Sequence, residues 1–120
     1  MVLTAHVLPH MRAFNRKKMI TIISSAALLG KASESAYCSA KFALKGFVYS
    51  LRQELKGSNI KVVGFYPGGI NTSFYDNIRD YTPKTVSDTY MNPKKVAKII
   101  VANSLQIDTL NVTDVMIERV

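Results

Sequence analysis

Tyr37 and Lys41 are the residues of this sequence whose types and spacing point most directly to chemistry. They lie four positions apart in a segment of helical periodicity, so their side chains share one helix face, one turn apart. A free tyrosine has a pKa near ~10 and is a poor base, but a neighbouring lysine cation favours the phenolate and lowers that pKa. Such a tyrosine can exchange a proton with a substrate oxygen. Because the same spacing is common on ordinary helix surfaces, the pair needs support from other groups.

Two further groups supply hydroxyl groups and a backbone segment without bulky side chains. Ser24 and Ser25 end an apolar, β-branched run, where a hydroxyl can hydrogen-bond a carbonyl oxygen and stabilise developing charge. Residues 67–72 include two consecutive glycines, which let the backbone approach a flat ligand closely, and Thr72 can hydrogen-bond a polar edge of that ligand. Taken singly, the serines also fit the simple end of a strand, and the glycines fit an ordinary turn.

The elements that must position these groups follow from the hydrophobic periodicity, in which helical spacing alternates with short β-branched runs. The predicted order is a helix over 1–17, a strand over 19–25, a helix over 36–56, a strand over 60–66, a loop over 70–91, a helix from 92 and a strand over 110–117. Strands joined by helices pair in parallel, and such sheets bind ligands beyond the carboxyl ends of their strands. The sequence therefore predicts an α/β fold in which all three groups line one crevice.

Composition places the chain in the ordinary globular class. Its 120 residues are 48% hydrophobic and 20% charged, which suits one domain over residues 1–120. The single cysteine, Cys38, excludes an internal disulfide and a cysteine-based zinc site. His6 and His10 have no third ligand near them in sequence, so we expect no metal site.

The net charge of +8 raises the question of nucleic-acid or membrane partners. The positive residues are scattered, and their densest cluster, Arg16-Lys17-Lys18, is interpreted as the solvated end of the first helix. Aromatic and basic residues are not interleaved as in proteins that stack bases. No apolar run is long enough for a bilayer span, and the N-terminus lacks a signal-peptide pattern. We expect a cytoplasmic protein without nucleic-acid or membrane partners.

In combination, the three groups resemble the catalytic half of the short-chain dehydrogenase/reductase family. The matching segments are Ile22-Ile23-Ser24-Ser25-Ala26-Ala27, Tyr37-Cys38-Ser39-Ala40-Lys41 and Tyr66-Pro67-Gly68-Gly69-Ile70-Asn71-Thr72, with Leu8-Pro9-His10-Met11 ahead of them. The resemblance covers essentially the whole chain. It implies the C-terminal part of a Rossmann-like, doubly wound parallel sheet with about three strands. It also implies an NAD- or NADP-dependent oxidoreductase that interconverts the carbonyl and alcohol groups of a small molecule.

The resemblance assigns a role to each matching residue. Tyr37 matches the catalytic acid/base, Lys41 the residue that lowers its pKa and binds the nicotinamide ribose, and Ser25 the serine that orients the substrate oxygen. The implied cofactor-binding residues are Tyr37, Lys41, Pro67, Gly68, Ile70 and Thr72. Thr72 would reach the carboxamide of the nicotinamide. The long helix from residue 36 would pack against its twin in a homo-oligomer.

Residues 73–91 match the variable substrate loop of the family. The aromatic residues of this loop, which favour an apolar pocket, are Phe74, Tyr75, Tyr81 and Tyr90.

Two departures from the family pattern bear on these assignments. The interval from Ser25 to Tyr37 is one residue shorter than in the commonest family form, and Ser24 has the usual interval, so Ser24 is the alternative catalytic serine. The glycine-rich phosphate loop lies upstream in the family, and its pattern G-x-x-x-G-x-G does not occur here. We therefore expect a partial domain, with an exposed edge at the 19–25 strand and marginal stability in isolation.

Three functions compete on this basis. The first is the oxidoreductase with a Ser-Tyr-Lys site. The second is a redox-inactive fragment that acts as an interaction module, and the third is an anion- or nucleic-acid-binding module driven by the positive charge.

Overall fold

Three parallel strands form the sheet of this protein. The computed structural model describes residues 1–14, 17–75, 90–105 and 110–120. The strands are β1 (Lys17–Ile22), β2 (Ile60–Pro67) and β3 (Asp114–Ile117), and they lie side by side in the order β1-β2-β3. All of their pairings are parallel. The predicted α/β fold with three parallel strands is confirmed.

Helices precede and connect these strands. They are α1 (Val2–Arg12), α2 (Ser35–Glu54) and α3 (Pro93–Leu105), with short 3₁₀ turns at Ser25–Ala27 and Ser73–Tyr75. The predicted start of α3 is confirmed, because the backbone N–H of Lys94 donates to the side-chain oxygen of Asn92 at 2.9 Å and caps the helix. None of the described helices combines the length and apolar character needed to cross a bilayer.

The sheet is covered on both faces, and β2 shows this most clearly. Successive side chains of a strand point to opposite faces. On one face, Val62 and Tyr66 pack in a core with the α2 residues Val48 and Leu51. On the other face, the cluster contains Val63, Phe65, Val96 of α3 and Ile117 of β3. Burial on both faces explains why β2 reads as a nearly continuous apolar run.

The first strand ends earlier than predicted. β1 stops at Ile22 rather than at residue 25. The hydroxyl oxygen of Ser24 accepts the backbone N–H of Ala26 at 3.1 Å and caps the first 3₁₀ turn. Local side-chain-to-backbone bonding of this kind competes with strand pairing. The serine pair therefore lies in the turn beyond the strand. The last strand is also shorter than predicted, since β3 begins at Asp114.

The interpretation of the basic cluster as a helix end is wrong for its described residues. α1 ends at Arg12, and Lys17 and Lys18 begin β1, where they pair with Ile60 and Lys61 of β2. The Lys18 ammonium donates to the carbonyl of Asn103 on α3 at 2.7 Å. Burial lowers the pKa of Lys17, whose side chain lies inside the fold. Parallel pairing with β2 outweighs the helix-end preference of these lysines.

Arg52 links α2 to β2 and β3. Its guanidinium donates to both carboxylate oxygens of Asp114, at 2.7 and 2.9 Å, and to the carbonyls of Val62 and Thr113. Burial works to raise the pKa of the Asp114 carboxyl, but the hydrogen bonds and charge of Arg52 outweigh it and hold that pKa below its ordinary value. The buried hydroxyl of Tyr66 lies near the same carboxylate without the geometry of a hydrogen bond. Burial, reinforced by that carboxylate, raises the pKa of Tyr66.

Candidate active site

The carboxyl ends of β1 and β2 bring two of the predicted groups side by side. Ile22, the last residue of β1, is in register with Phe65 near the end of β2. The backbone N–H of Ile23 donates to the carbonyl of Phe65 at 2.7 Å, which extends the pairing by one residue. The turn of residues 24–27 and the loop of residues 67–72 therefore leave the sheet at the same edge, where ligands of such folds bind.

The first turns of α2 supply the third group. The backbone N–H of Cys38 donates to the carbonyl of Glu34 at 2.8 Å and closes the start of the helix. Tyr37 and Lys41 follow one turn apart, and the Lys41 ammonium lies 5.5 Å from the centroid of the Tyr37 ring. This distance is within the range of a cation–π contact. It places a positive charge beside the candidate proton-transfer group.

Backbone hydrogen bonds fix the loop after β2. The N–H of Gly68 donates to the carbonyl of Ile117 at 2.9 Å, which anchors the loop to β3. The N–H of Asn71 donates to the carbonyl of Met91 at 3.0 Å, and the N–H of Met91 donates to the carbonyl of Gly69 at 2.8 Å. The loop is thus held between β3 and the residues that lead into α3.

Glycine occupies positions 68 and 69 of this loop for different structural reasons. A Cβ atom on Gly69 would overlap the ring of Tyr90, so any larger residue there would force that ring to move. A Cβ atom on Gly68 would meet its nearest neighbour, the Ile117 carbonyl oxygen, at an ordinary 3.7 Å. The lack of a Cβ atom at Gly68 keeps the wall of the site flat, which agrees with the predicted close approach of a ligand.

These elements surround a cleft of about 230 Å³. Every residue that the sequence analysis assigned to catalysis or cofactor binding lines it, namely Ser25, Tyr37, Lys41, Pro67, Gly68, Ile70 and Thr72. Ser24, the alternative serine, lines it as well. The structure therefore brings all the candidate residues into one space.

Phe74 completes the environment of Tyr37. The centroids of the two rings are 6.3 Å apart, and the ring planes are tilted by 55°. The backbone N–H of Phe74 is 3.4 Å from the hydroxyl oxygen of Thr72, which accepts a long hydrogen bond from it. Most of the predicted substrate loop, residues 76–89 with Tyr81 among them, lies outside the described residues.

The lining also includes residues that sequence reasoning missed. Lys31 comes from the loop before α2, and Ile22 and Ile23 come from the end of β1. No periodicity marks a loop residue such as Lys31. The available signal was its position, because the loops that follow the carboxyl ends of parallel strands are where site residues concentrate.

Both histidines lie on α1. The Nδ1 atom of His6 pairs with the carbonyl of Val2 at 2.9 Å, within its own helix. Within the described ranges, no three His, Cys, Asp or Glu side chains are grouped closely enough to hold a metal ion.

Comparison with known proteins identifies a family and several related reductases. The profile described as short chain dehydrogenase matches residues 1–82. The 3-ketodihydrosphingosine reductase of Bacteroides thetaiotaomicron is 39% identical over 71 residues, which cover 59% of this chain and 26% of that protein. The 3-dehydrosphinganine reductase of Danio rerio is 31% identical over 108 residues, which cover 86% of this chain and 32% of that protein.

The fold has solved counterparts. The closed form of serine dehydrogenase complexed with NADP+ superposes with a TM-score of 0.84 at 25% identity, over 96% of this chain and 49% of that chain. The chain therefore spans about half of that structure and a smaller share of the two reductases. Sheet, helix order and sequence agree in placing this chain in the short-chain dehydrogenase family.

Proposed function

We propose that the protein is an NAD- or NADP-dependent oxidoreductase that interconverts a carbonyl and an alcohol, and that residues 1–120 form the catalytic part of one domain. The observation that carries the proposal is the shared cleft of Tyr37, Lys41 and the serine pair at the carboxyl edge of the sheet. Membership of the short-chain dehydrogenase family and the likeness to an NADP-bound structure support it.

The cleft walls have the chemistry to hold a nicotinamide ring. Pro67, Gly68 and Ile70 present an apolar surface on which a flat ring can lie. The oxygen of Thr72 already accepts an N–H, so its hydroxyl proton remains to donate to the carboxamide. The Lys41 ammonium supplies donors for ribose hydroxyls. When bound, the nicotinamide would donate or accept the hydride.

The remaining chemistry falls to the side chains of this chain. In the direction of reduction, the Tyr37 hydroxyl gives its proton to the substrate oxygen, and in oxidation the phenolate takes a proton back. The Lys41 charge stabilises that phenolate in either direction. The Ser25 hydroxyl donates a hydrogen bond to the substrate oxygen and stabilises the charge that develops there. Ser24 lines the same wall and is the alternative for this role.

The test uses the complete natural polypeptide that contains these residues. Titration calorimetry with NADH and NADPH measures cofactor binding, and the loss of reduced cofactor with a panel of ketones and aldehydes measures turnover. Tyr37→Phe should lower kcat by at least about a hundredfold, the usual contribution of a proton-transfer group, with a much smaller loss of cofactor affinity. Lys41→Met should lower both kcat and cofactor affinity.

The matched control is Tyr49→Phe, which removes a hydroxyl from an exposed tyrosine on the same helix. Because the aromatic ring is retained, turnover and cofactor binding should match those of the wild type. Wild-type turnover by Tyr37→Phe would refute the proposed mechanism, and no binding of either cofactor would refute the proposed function.

The proposal extends to self-association through α2. Phe42 and Tyr49 lie on this helix seven residues apart and are 45% and 43% exposed, which is high for aromatic side chains. A second copy of the helix would cover them. Sedimentation velocity should show a homo-oligomer, and Phe42→Glu should shift it towards the monomer.

A further inference from the structure

We propose that Lys31 selects substrates in which an anionic group, such as a carboxylate, lies near the reacting carbonyl or alcohol. This inference rests on the oxidoreductase function proposed above. Lys31 lines the cleft together with Tyr37 and Ser25, yet it belongs neither to the proton-transfer pair nor to the loop proposed to hold the cofactor. Its ammonium is therefore a charge at the site that the proposed mechanism does not use.

The charge balance of the cleft favours an anion. Among its described lining residues, Lys31 and Lys41 are the charged side chains, and none is acidic. Lys41 stands beside the Tyr37 ring, at 5.5 Å, and its proposed roles are to stabilise the Tyr37 phenolate and to bind the ribose. The rest of the wall is largely apolar, with Ile22, Ile23, Ile70 and Phe74 among it. A substrate that fills the cleft would displace water from this apolar wall, which would strengthen the attraction between Lys31 and the bound anion.

The existing partner of Lys31 does not hold it firmly. Its ammonium lies 4.0 Å from the carboxylate of Glu34, and the two side chains are 45% and 37% exposed. An ion pair of that length and exposure contributes little free energy. Glu34 is not among the residues that line the cleft. A substrate anion inside the cleft can therefore replace it as the partner of the flexible lysine.

The reaction itself is unchanged by this selection. In reduction, a hydride from NADH or NADPH adds to the carbonyl carbon, the proton from Tyr37 adds to the carbonyl oxygen, and the carboxylate of the substrate remains ionised and intact. An oxo acid becomes a hydroxy acid, and the reduced cofactor becomes the oxidised one.

The test compares oxo acids with their neutral methyl esters on the complete natural polypeptide. Pyruvate, acetoacetate and levulinate place the carboxylate at three distances from the carbonyl, and methyl pyruvate, methyl acetoacetate and methyl levulinate are the uncharged counterparts. We expect kcat/KM to favour the acid in at least one pair. Lys31→Gln should reduce that acid-to-ester ratio about tenfold, mainly through KM, which is the size of a lost charged hydrogen bond. Turnover of the ester should stay near the wild-type value.

Two further variants sharpen the test. Lys31→Arg keeps the charge and should restore most of the preference. Lys56→Gln removes an exposed lysine beyond the end of α2 and should leave the ratio unchanged. Two outcomes would overturn the inference in a protein that still reduces the esters. One is a wild type that prefers the acid in none of the pairs, and the other is an acid-to-ester ratio that Lys31→Gln leaves unchanged. Failure to reduce any of these ketones would instead count against the proposed function on which it rests.

Discussion

The rings of Phe74 and Tyr37 pack against each other, with 6.3 Å between their centroids. Phe74 comes from the 3₁₀ turn after β2, and Tyr37 comes from the first turn of α2. The contact therefore joins two elements that border the cleft. Because Phe74 is 60% exposed, it covers the candidate acid/base more than it builds the core.

Removal of Phe74 should impair turnover and slightly lower stability. Because Tyr37 loses the ring that packs against it, Phe74→Ala should lower kcat/KM by about three- to tenfold. The same contact stabilises the folded state, so the free energy of unfolding should fall by about 0.5–1.5 kcal/mol, the usual contribution of an aromatic pair. Phe74→Tyr keeps the ring and serves as the control. Steady-state kinetics and urea unfolding measure the two effects, and wild-type kinetics in Phe74→Ala would contradict the prediction.

The serine pair should separate into one functional and one structural residue. We expect Ser25→Ala to lower kcat by about a hundredfold, the lower end of the effect of losing one oxyanion donor, with little change in stability. Ser24→Ala removes the cap of the first 3₁₀ turn, where its oxygen accepts the N–H of Ala26, and should cost about 1 kcal/mol. Kinetics and denaturation of both variants decide the matter. Loss of turnover in Ser24→Ala alone would transfer the role to Ser24.

The ion pair of Arg52 and Asp114 should make stability depend on pH in acid. The folded protein holds the pKa of Asp114 below its ordinary value, so the carboxylate contributes stability at neutral pH that is lost as pH falls through the folded-state pKa. Asp114→Asn should cost about 1 kcal/mol near neutrality, a modest figure because the pair is partly exposed.

Urea unfolding at a series of pH values measures this effect. The stability difference between the wild type and Asp114→Asn should shrink towards acid pH. Glu118→Gln, at an exposed acidic position after β3, is the control and should have little effect at any pH. A difference that persists unchanged into acid would show that the charge of Asp114 is not its source.

Two glycines should respond to alanine in opposite directions. Gly57 follows α2 with a φ of 85°, in the left-handed region, so Gly57→Ala should cost about 1–2 kcal/mol. Gly46 lies inside α2 with open space around its missing Cβ within the chain, so Gly46→Ala should stabilise the fold of the single chain by about 0.5–1 kcal/mol. Relative to the wild type, the urea midpoint should fall for Gly57→Ala and rise for Gly46→Ala. A shift of both midpoints in the same direction would contradict the prediction.

Local sequence determined most of the architecture. Continuous apolar runs identified β2, helical spacing identified α2, and Asn92 followed by a proline located the start of α3. Alternation of strands and helices was enough to predict parallel pairing, since a helical crossover returns the chain in the same direction. Tyr37 and Lys41 were identifiable because their relation is helical and therefore local.

Tertiary structure decided what depends on contacts between distant segments. Pairing with β2 placed Lys17 in a strand rather than at a helix end, and the capping bond of Ser24 ended β1 before the serine pair. Only the assembled sheet brought Lys31 and Phe74 to the walls of the same cleft. Periodicity carries no information about such loop residues, because their neighbours are set by the packing of elements far apart in sequence.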